Sequence, residues 1–440
     1  MPPATTSRGR VLWRNLSSFR TSFLSMSSAS PSSVGSMLSS FLGSKNTKPI
    51  LERVEDDLPT KLRLKYSPYY RAVEAVQGVK IKVAGRDMLM MSSNEYLGLS
   101  QHPKVVEAAQ KAASLWGASS CGSRLANGSR GYHEALEEEL AAFLGKEACH
   151  VIVAGYLACQ GSLATLARRG DALIVDNSIH SSLWDGAQLS KADIERFAHG
   201  DMNSLRALLA TLDPKQAKLI AVDGVYSMEG HLAPMTELVE LADKHDAFLL
   251  VDDAHGLGVF GNQGRGVCDH FGVTDKVDLI VGSFSKSLAS TGGFMAGSRA
   301  VIEYLRSNCK QIIFSAGLTP ATAEAARAAL RVIQEEPERQ QRVQANAAHL
   351  RSRLDALGLD YWQSPTPAIP IVIGNKEKCY FVWQSLWDQG FFTVMSIAPG
   401  VPAGKDLIRA AVSALHTPEE LDRFAEALRV ACKKAGVPVK

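Results

Sequence analysis

Lys286 stands in the run Gly282-Ser283-Phe284-Ser285-Lys286-Ser287, just past the mostly apolar stretch Val277–Val281 and ahead of the glycine pair Gly292-Gly293. A lysine among small hydroxyl residues at the end of a short apolar strand can condense with an aldehyde. Burial lowers its pKa and makes the free amine available. Taken alone, such a lysine is more often a solvated surface residue. Other residues give it company. Asp252 and His255 follow the apolar run Phe248–Val251, and Gly155-Tyr156 open a helical stretch straight after Cys149–Ala154. His133 begins a helix just past the glycine- and serine-rich loop Gly117–Gly131.

These residue types match the needs of pyridoxal phosphate. Its aldehyde takes a lysine, here Lys286. Its pyridine nitrogen needs a carboxylate, so that the ring stays protonated and draws electrons from a carbanion; Asp252 is placed for that. His255, three residues on, can reach the ring hydroxyl. The phosphate needs N–H groups at a helix start and hydroxyls, which Gly155, Tyr156 and Ser283 offer. The ring needs a flat partner, and His133 is the candidate. Each residue also has a plain structural explanation. An aspartate after a buried strand is often a cap or turn residue, and a histidine such as His133 is often a capping or surface group. A metal at Asp252, Asp253 and His255 lacks a further ligand pair nearby.

The elements that must position these residues alternate. Apolar runs occur at Cys149–Ala154, Ala172–Val175, Lys218–Val222, Phe248–Val251 and Leu279–Val281. Helical spacing occurs at Tyr156–Arg168, His180–Leu189, Met202–Leu212 and Pro234–His245. Continuously apolar strands separated by helices predict a mostly parallel sheet covered on both faces. Ligands in such sheets bind beyond the carboxyl ends of the strands, so residues far apart in sequence can converge there. Two short strands, Val79–Val83 and Met88–Met91, precede this region. After it comes a long helix over Thr319–Leu357, broken near Glu336-Pro337. Strands at Ala368–Ile373, Phe391–Met395 and Leu407–Ala411, with helices at Lys378–Gln389 and Pro418–Ala435, then predict a small α/β domain. The expected organisation is a disordered or transit-like tail over 1–47, an N-terminal segment over 48–100, a large cofactor-binding domain over 101–318 and a small C-terminal domain over 319–440.

Composition narrows the function classes. The 440 residues are 46% hydrophobic and 21% charged, ordinary for a globular protein. Net charge is +3, but residues 1–50 carry six arginines and lysines and no acid, which leaves the rest at −3. No basic patch argues for nucleic acid. The 7 cysteines are scattered without a CxxC pair, which suits a reducing compartment and argues against structural zinc. No apolar run reaches the ~18 residues of a membrane span. Residues 1–47 are serine-rich, carry arginines and lack acids, the profile of a transit peptide. That points to a mitochondrial or plastid address if it acts as one, and to the cytoplasm if it is a plain disordered tail.

The chain resembles the α-oxoamine synthase family over residues 60–435. The resemblance rests on Asn94-Glu95-Tyr96-Leu97-Gly98-Leu99, on Gly131-Tyr132-His133-Glu134-Ala135-Leu136-Glu137 and on Asp223-Gly224-Val225-Tyr226-Ser227-Met228-Glu229-Gly230. It rests equally on Val251-Asp252-Asp253-Ala254-His255-Gly256, the lysine run, and Leu407-Ile408-Arg409 before His416-Thr417. It implies an α/β, fold-type I transferase dependent on pyridoxal phosphate, with a large domain whose mostly parallel sheet is covered by helices and a smaller C-terminal α/β domain. It implies decarboxylating condensation of an amino acid with an acyl-CoA, or an acyl carrier protein, to give an α-amino ketone. Lys286 would bind the cofactor and later carry a proton, Asp252 would pair with the ring nitrogen, His255 would bind the ring hydroxyl, and His133 would stack. Ser227 would lie near the same side of the ring, and Asn94 with Arg409 would hold the amino-acid carboxylate. The family forms homodimers with shared sites, so Ser315 would reach the neighbour's phosphate.

Gly224–Met228, the lysine run and Pro399–Gly404 lean toward the serine-using branch of soluble bacterial type. That branch implies serine with a long-chain donor such as palmitoyl-CoA, giving 3-ketosphinganine. Gly256, where that branch often has serine, and the loop Ser120–Arg130 depart from the pattern. Glycine- and alanine-using members therefore stay open. A non-catalytic partner subunit and an aminotransferase on the same fold are the rivals from other classes.

Overall fold

The computed structural model describes residues 48–53, 68–398 and 400–440. The expected tail over 1–47 lies outside the described residues. Residues 49–53 form a short helical turn. From Arg71 to Lys440 the chain forms one compact unit.

Its centre is a seven-stranded sheet of β4 (Ala148–Ile152), β5 (Ala172–Asp176), β6 (Asp193–Phe197), β7 (Lys218–Asp223), β8 (Ala247–Asp252), β9 (Leu279–Ser283) and β10 (Gly293–Gly297), in the order β4-β10-β9-β8-β7-β5-β6. Only β10 runs antiparallel to its two neighbours. Sequences such as Ala-Leu-Ile-Val-Asp in β5 are buried along their whole length, because helices cover both faces. The helices at 155–166, 181–190, 202–209 and 235–244 are the connections that let the strands run parallel. Register then aligns the carboxyl ends: Asp223 of β7 lies opposite Asp252 of β8, and Asp252 lies opposite Val281 of β9.

Two strands of this sheet were not expected. β6, Asp-Ile-Glu-Arg-Phe, is an edge strand whose charges blunt its open side. β10, Gly-Phe-Met-Ala-Gly, is fully buried, but its glycines and alanine carry little strand propensity.

The second layer joins both ends of the unit. The strands β1 (Ala75–Gln77), β2 (Lys80–Val83) and β3 (Arg86–Met90) form a sheet with β12 (Phe391–Phe392). A second small sheet has the order β11 (Ala368–Val372), β14 (Leu407–Ala411), β13 (Val394–Ser396). The single strand expected over Phe391–Met395 is thus divided at Thr393 between two sheets. The long helix breaks as its proline requires, into 320–335 and 338–357. A separate apolar core of this layer runs from Val79 and Met91 through Leu350 and Trp383 to Phe424. Among the described residues no helix is long and apolar enough to cross a membrane.

Candidate active site

Beyond the carboxyl ends of β7, β8 and β9 lies a cleft of about 280 Å³. Gly155, Tyr156, Ser227, Asp252, His255, Ser283 and Lys286 all line it. Seven positions spread over more than 130 residues of chain are therefore brought together by the strand register alone.

The floor is acidic. Asp252 is buried, and its Oδ1 accepts the Ala254 N–H at 3.0 Å while its Oδ2 accepts the Cys159 thiol at 3.1 Å. Asp223 beside it accepts the backbone N–H of His180 at 2.8 Å. Burial, and then the Asp252 charge, push the Asp223 carboxyl well above the usual range. Facing them is Lys286. Burial lowers its amine from the ordinary value, against the opposing pull of Asp252. A lysine so placed has more free amine at neutral pH than one in water.

One wall is built for an anion. The helix 155–166 begins behind Ala154, which supplies no side-chain cap, so its first N–H groups face the cleft with the Ser283 and Ser285 hydroxyls nearby. Gly155 is glycine for a steric reason: a Cβ there would sit 2.5 Å from the Ser283 Cβ. The Ser283 and Ser285 hydroxyls are 2.7 Å apart.

The opposite side carries two histidines. His255 is held by the Tyr96 hydroxyl, 2.8 Å from its Nδ1, and burial followed by the Lys286 and Arg409 charges push its pKa well below 6.5. His180 caps its own helix, with Nδ1 2.7 Å from the Ser182 hydroxyl, and packs edge-on to Tyr156. Burial is the main cause of its lowered pKa. Both rings are neutral at physiological pH.

His133 does not join this cleft. It is fully buried at the third position of the helix 131–144, where its Nδ1 accepts the Arg130 N–H at 3.2 Å. Its Nε2 lies 2.8 Å from the Leu318 carbonyl oxygen, and burial lowers its pKa to about 4. With both ring nitrogens committed, it closes a helix end and is not available to stack on a ligand in the cleft. His180, not His133, is the histidine that lines the cleft beside His255. His180 and Cys159 were not singled out from sequence, and Asp223 entered only as the first residue of a motif, without a role. The signal existed: Asp176-Asn177-Ser178-Ile179-His180 follows an apolar strand just as Asp252–His255 does.

Arg409 and Asn94 do meet. On β14, Arg409 donates from Nη1 to Asn94 Oδ1 at 2.9 Å and from Nε to the Ser227 carbonyl at 2.7 Å. Its buried Nη2 makes no hydrogen bond of normal length, and the Tyr96 hydroxyl is the neighbouring group that the Arg409 charge reaches. A guanidinium with two nitrogens fixed and one open is a donor waiting for an acceptor. Ser315 lies outside the cleft, on the segment that pairs Ala316 with Ser123 of the glycine loop.

The profile of the family described as aminotransferase class I and II matches residues 86–428. The chain is 42% identical over 378 residues to a serine palmitoyltransferase of Bacteroides ovatus, covering 86% of this chain and 96% of that protein. It is 39% identical over 364 residues to 8-amino-7-oxononanoate synthase 1 of Bacillus velezensis, covering 83% and 93%. A variant serine palmitoyltransferase from S. paucimobilis, solved with a bound PLP-myriocin aldimine, superposes with a TM-score of 0.86 at 31% identity, over 88% of this chain and all of that one. The architecture is the fold-type I arrangement that the sequence implied, with a mostly parallel sheet and a smaller C-terminal sheet domain.

Proposed function

We propose, for a chain that belongs to the aminotransferase class I and II family, that it is a pyridoxal-phosphate-dependent acyltransferase that joins L-serine to a long-chain acyl-CoA. The product is an α-amino ketone of the 3-ketosphinganine type. The observation that carries the carboxylate half of this reading is the buried Nη2 of Arg409, without a hydrogen bond of normal length, beside a cleft that holds Lys286 and Asp252.

The residues present fit the cofactor. The uncapped helix start at Gly155 and Tyr156, with Ser283 and Ser285, suits its phosphate. Asp252 suits the ring nitrogen, His255 the ring hydroxyl, His180 the ring face, and Lys286 the aldehyde. When bound, pyridoxal phosphate supplies the electron-withdrawing ring that holds the electron pair left by a broken bond at the amino-acid Cα.

The chain's own groups do the rest. Arg409 binds the carboxylate through its open Nη2, and Asn94 with the Ser227 carbonyl keeps the guanidinium from turning away. Lys286 Nζ takes the α-proton; the burial that lowers its amine pKa from the ordinary value favours that role. A new bond forms between Cα and the acyl carbonyl carbon. The C–S bond breaks and the thiolate leaves. The carboxylate then departs as carbon dioxide, and a proton returned from Lys286 completes the amino ketone. Cys159 and the Ala254 N–H hold Asp252 in one orientation throughout. The active form is proposed as a homodimer, with Ser315 serving the neighbouring site.

The experiment is a titration of glycine, alanine and serine against the visible absorbance of the holoenzyme. Acyl-CoAs of rising chain length are then added and the product identified by mass. Serine should perturb the spectrum at the lowest concentration, and a sixteen-carbon donor should give 3-ketosphinganine. Selection of alanine moves the chain to the 8-amino-7-oxononanoate branch, which the similarity to the B. velezensis enzyme favours as second reading. Conversion of the cofactor to its amine form by the amino acid alone, reversed by a keto acid and without any acyl-CoA product, makes it an aminotransferase. A colourless protein without an imine band makes it a non-catalytic subunit.

A further inference from the structure

Beside the cleft, a chain of hydrogen bonds runs through two histidines that the mechanism does not use. Asp176 ends β5, and its Oδ1 lies 3.0 Å from His199 Nδ1. His199 Nε2 lies 3.0 Å from His231 Nδ1, and His231 Nε2 lies 2.9 Å from the Trp362 carbonyl oxygen. The ring planes are tilted by only 11° with centroids 5.3 Å apart, so the two imidazoles meet edge to edge in one plane.

The protons can be counted. Both ends of the chain are acceptors. Asp176 is held as a carboxylate by the N–H groups of Ser178 and Gly200, at 2.7 and 2.8 Å. A carbonyl oxygen never donates. His199 Nδ1 and His231 Nε2 must therefore both carry protons. The contact between the rings needs a third. Two neutral imidazoles carry only two. We infer that His199 and His231 hold three ring protons between them, and that this extra proton closes a clasp that positions the Tyr226–His231 turn and, through it, Arg409.

The surroundings agree in sign. Against the effect of burial, Asp176 and then Glu229 raise the pKa of His199. The Tyr226 ring stands edge-on to His199 at 4.4 Å, and Asp176, Asp223 and Glu229 are the acidic groups that act on Tyr226 at this corner. The proton belongs to the pair, not to one ring.

The clasp has something to hold. The turn is closed by Tyr226 N–H to the His231 carbonyl at 2.9 Å and by Gly230 N–H to the Tyr226 carbonyl at 2.7 Å. Its Ser227 carbonyl is the acceptor for Arg409 Nε. On the other side, Trp362 and Gln363 sit at φ 53° and 54°, left-handed backbone that non-glycine residues rarely adopt. Ser364 adds a second tie, its hydroxyl donating to the Gly230 carbonyl at 3.0 Å. When the shared proton leaves, one of the three contacts becomes lone pair against lone pair and opens.

The link to Arg409 rests on the proposed carboxylate role; the proton count does not. The test has two arms on the holoenzyme. The first compares the thermal midpoints of wild type and His231→Phe from pH 6 to pH 9. The His199 pKa is raised in the folded protein, so the stabilisation is fully present below the ordinary histidine value of ~6.5 and is lost as pH rises through the folded value. Wild type should melt higher at pH 6, and the gap should close by pH 9. A gap independent of pH overturns the shared proton. The second arm measures serine dissociation constants by cofactor absorbance for wild type and His231→Gln. The glutamine amide can donate to both His199 Nε2 and the Trp362 carbonyl without any titrating proton. The ratio of wild-type to His231→Gln constants should rise ~10-fold from pH 6 to pH 9, about one charged hydrogen bond, in KM more than in kcat. A flat ratio with a pH-dependent melting gap overturns the link to Arg409. A Gln variant that titrates as wild type does overturns the clasp.

Discussion

Three parallel strands end in aspartate, and each carboxyl has its own task. Asp176 of β5 anchors the histidine pair, Asp223 of β7 holds the backbone that presents His180, and Asp252 of β8 faces the cleft. The next residue, Asp253, points away: its Oδ2 accepts the Val267 N–H at 2.8 Å, and burial pushes its pKa well up. That explains Gly256. A Cβ at this position would lie 1.9 Å from Asp253 Oδ1 and 2.6 Å from Val267 Cγ2. Gly256→Ser should cost ~1–3 kcal/mol, an overpacking penalty, read as a lower thermal midpoint; an unchanged midpoint removes this explanation. Packing around Asp253 thus accounts for glycine at this position. Arg409→Ala should raise the serine dissociation constant ~30- to 100-fold, the loss of a charge-assisted pair, while the cofactor absorbance stays. Arg409→Lys keeps the charge but not the fork and should restore little. Unchanged serine binding in either variant removes the carboxylate role.

Elements decide which of these residues were visible beforehand. Asp252, Ser283 and Lys286 follow runs of apolar β-type residues, so strand ends and site residues could be read together. His180 obeys the same rule but also begins a helix, and the helical reading hid it. His133 sits in a family-like stretch, yet the first turn of helix 131–144 needs its ring as a cap. The pairing of Asn94 with Arg409 spans 315 residues and no local pattern encodes it. β10 escaped notice because glycine and alanine do not look like a strand until neighbours bury them. The glycine-serine loop, which could have been a flexible surface loop, is instead pinned. Arg124 within it donates to both oxygens of Glu137 at 2.8 and 3.1 Å, in a buried pair with the His150 ring nitrogen 2.8 Å away. Although burial works against the charge, His150 and Arg124 hold the Glu137 carboxyl at about 2. Glu137→Gln strands a buried guanidinium and should cost ~3–5 kcal/mol, seen in the denaturation midpoint at pH 7. Because the folded pKa is depressed, this stabilisation is present above the unfolded carboxylate value and fades as pH falls toward 2. The gap between wild type and variant should therefore narrow below pH ~4; a gap that persists there contradicts the ion-pair account.

At the scale of the whole molecule, the two layers divide the work. The large sheet brings Lys286, Asp252, His255, His180 and the helix start at Gly155 to one rim. The small C-terminal sheet supplies Arg409, which reaches across to the Ser227 carbonyl. An amino acid held by Arg409 is thereby set against groups suited to a carbonyl cofactor. This division was foreseeable from alternating elements followed by a change of character near residue 319, but the return of β1–β3 to the C-terminal layer was not. Their short alternating pattern fits any sheet edge, and only the parallel pairing of Phe391 with Leu89 shows which one. The central claim is that Lys286 forms the bond to the cofactor aldehyde at this rim. Borohydride reduction of the holoenzyme, followed by peptide mapping, tests it directly. A single pyridoxyl label on the peptide that contains Lys286 is the predicted result; a label on any other lysine, or none, contradicts the account.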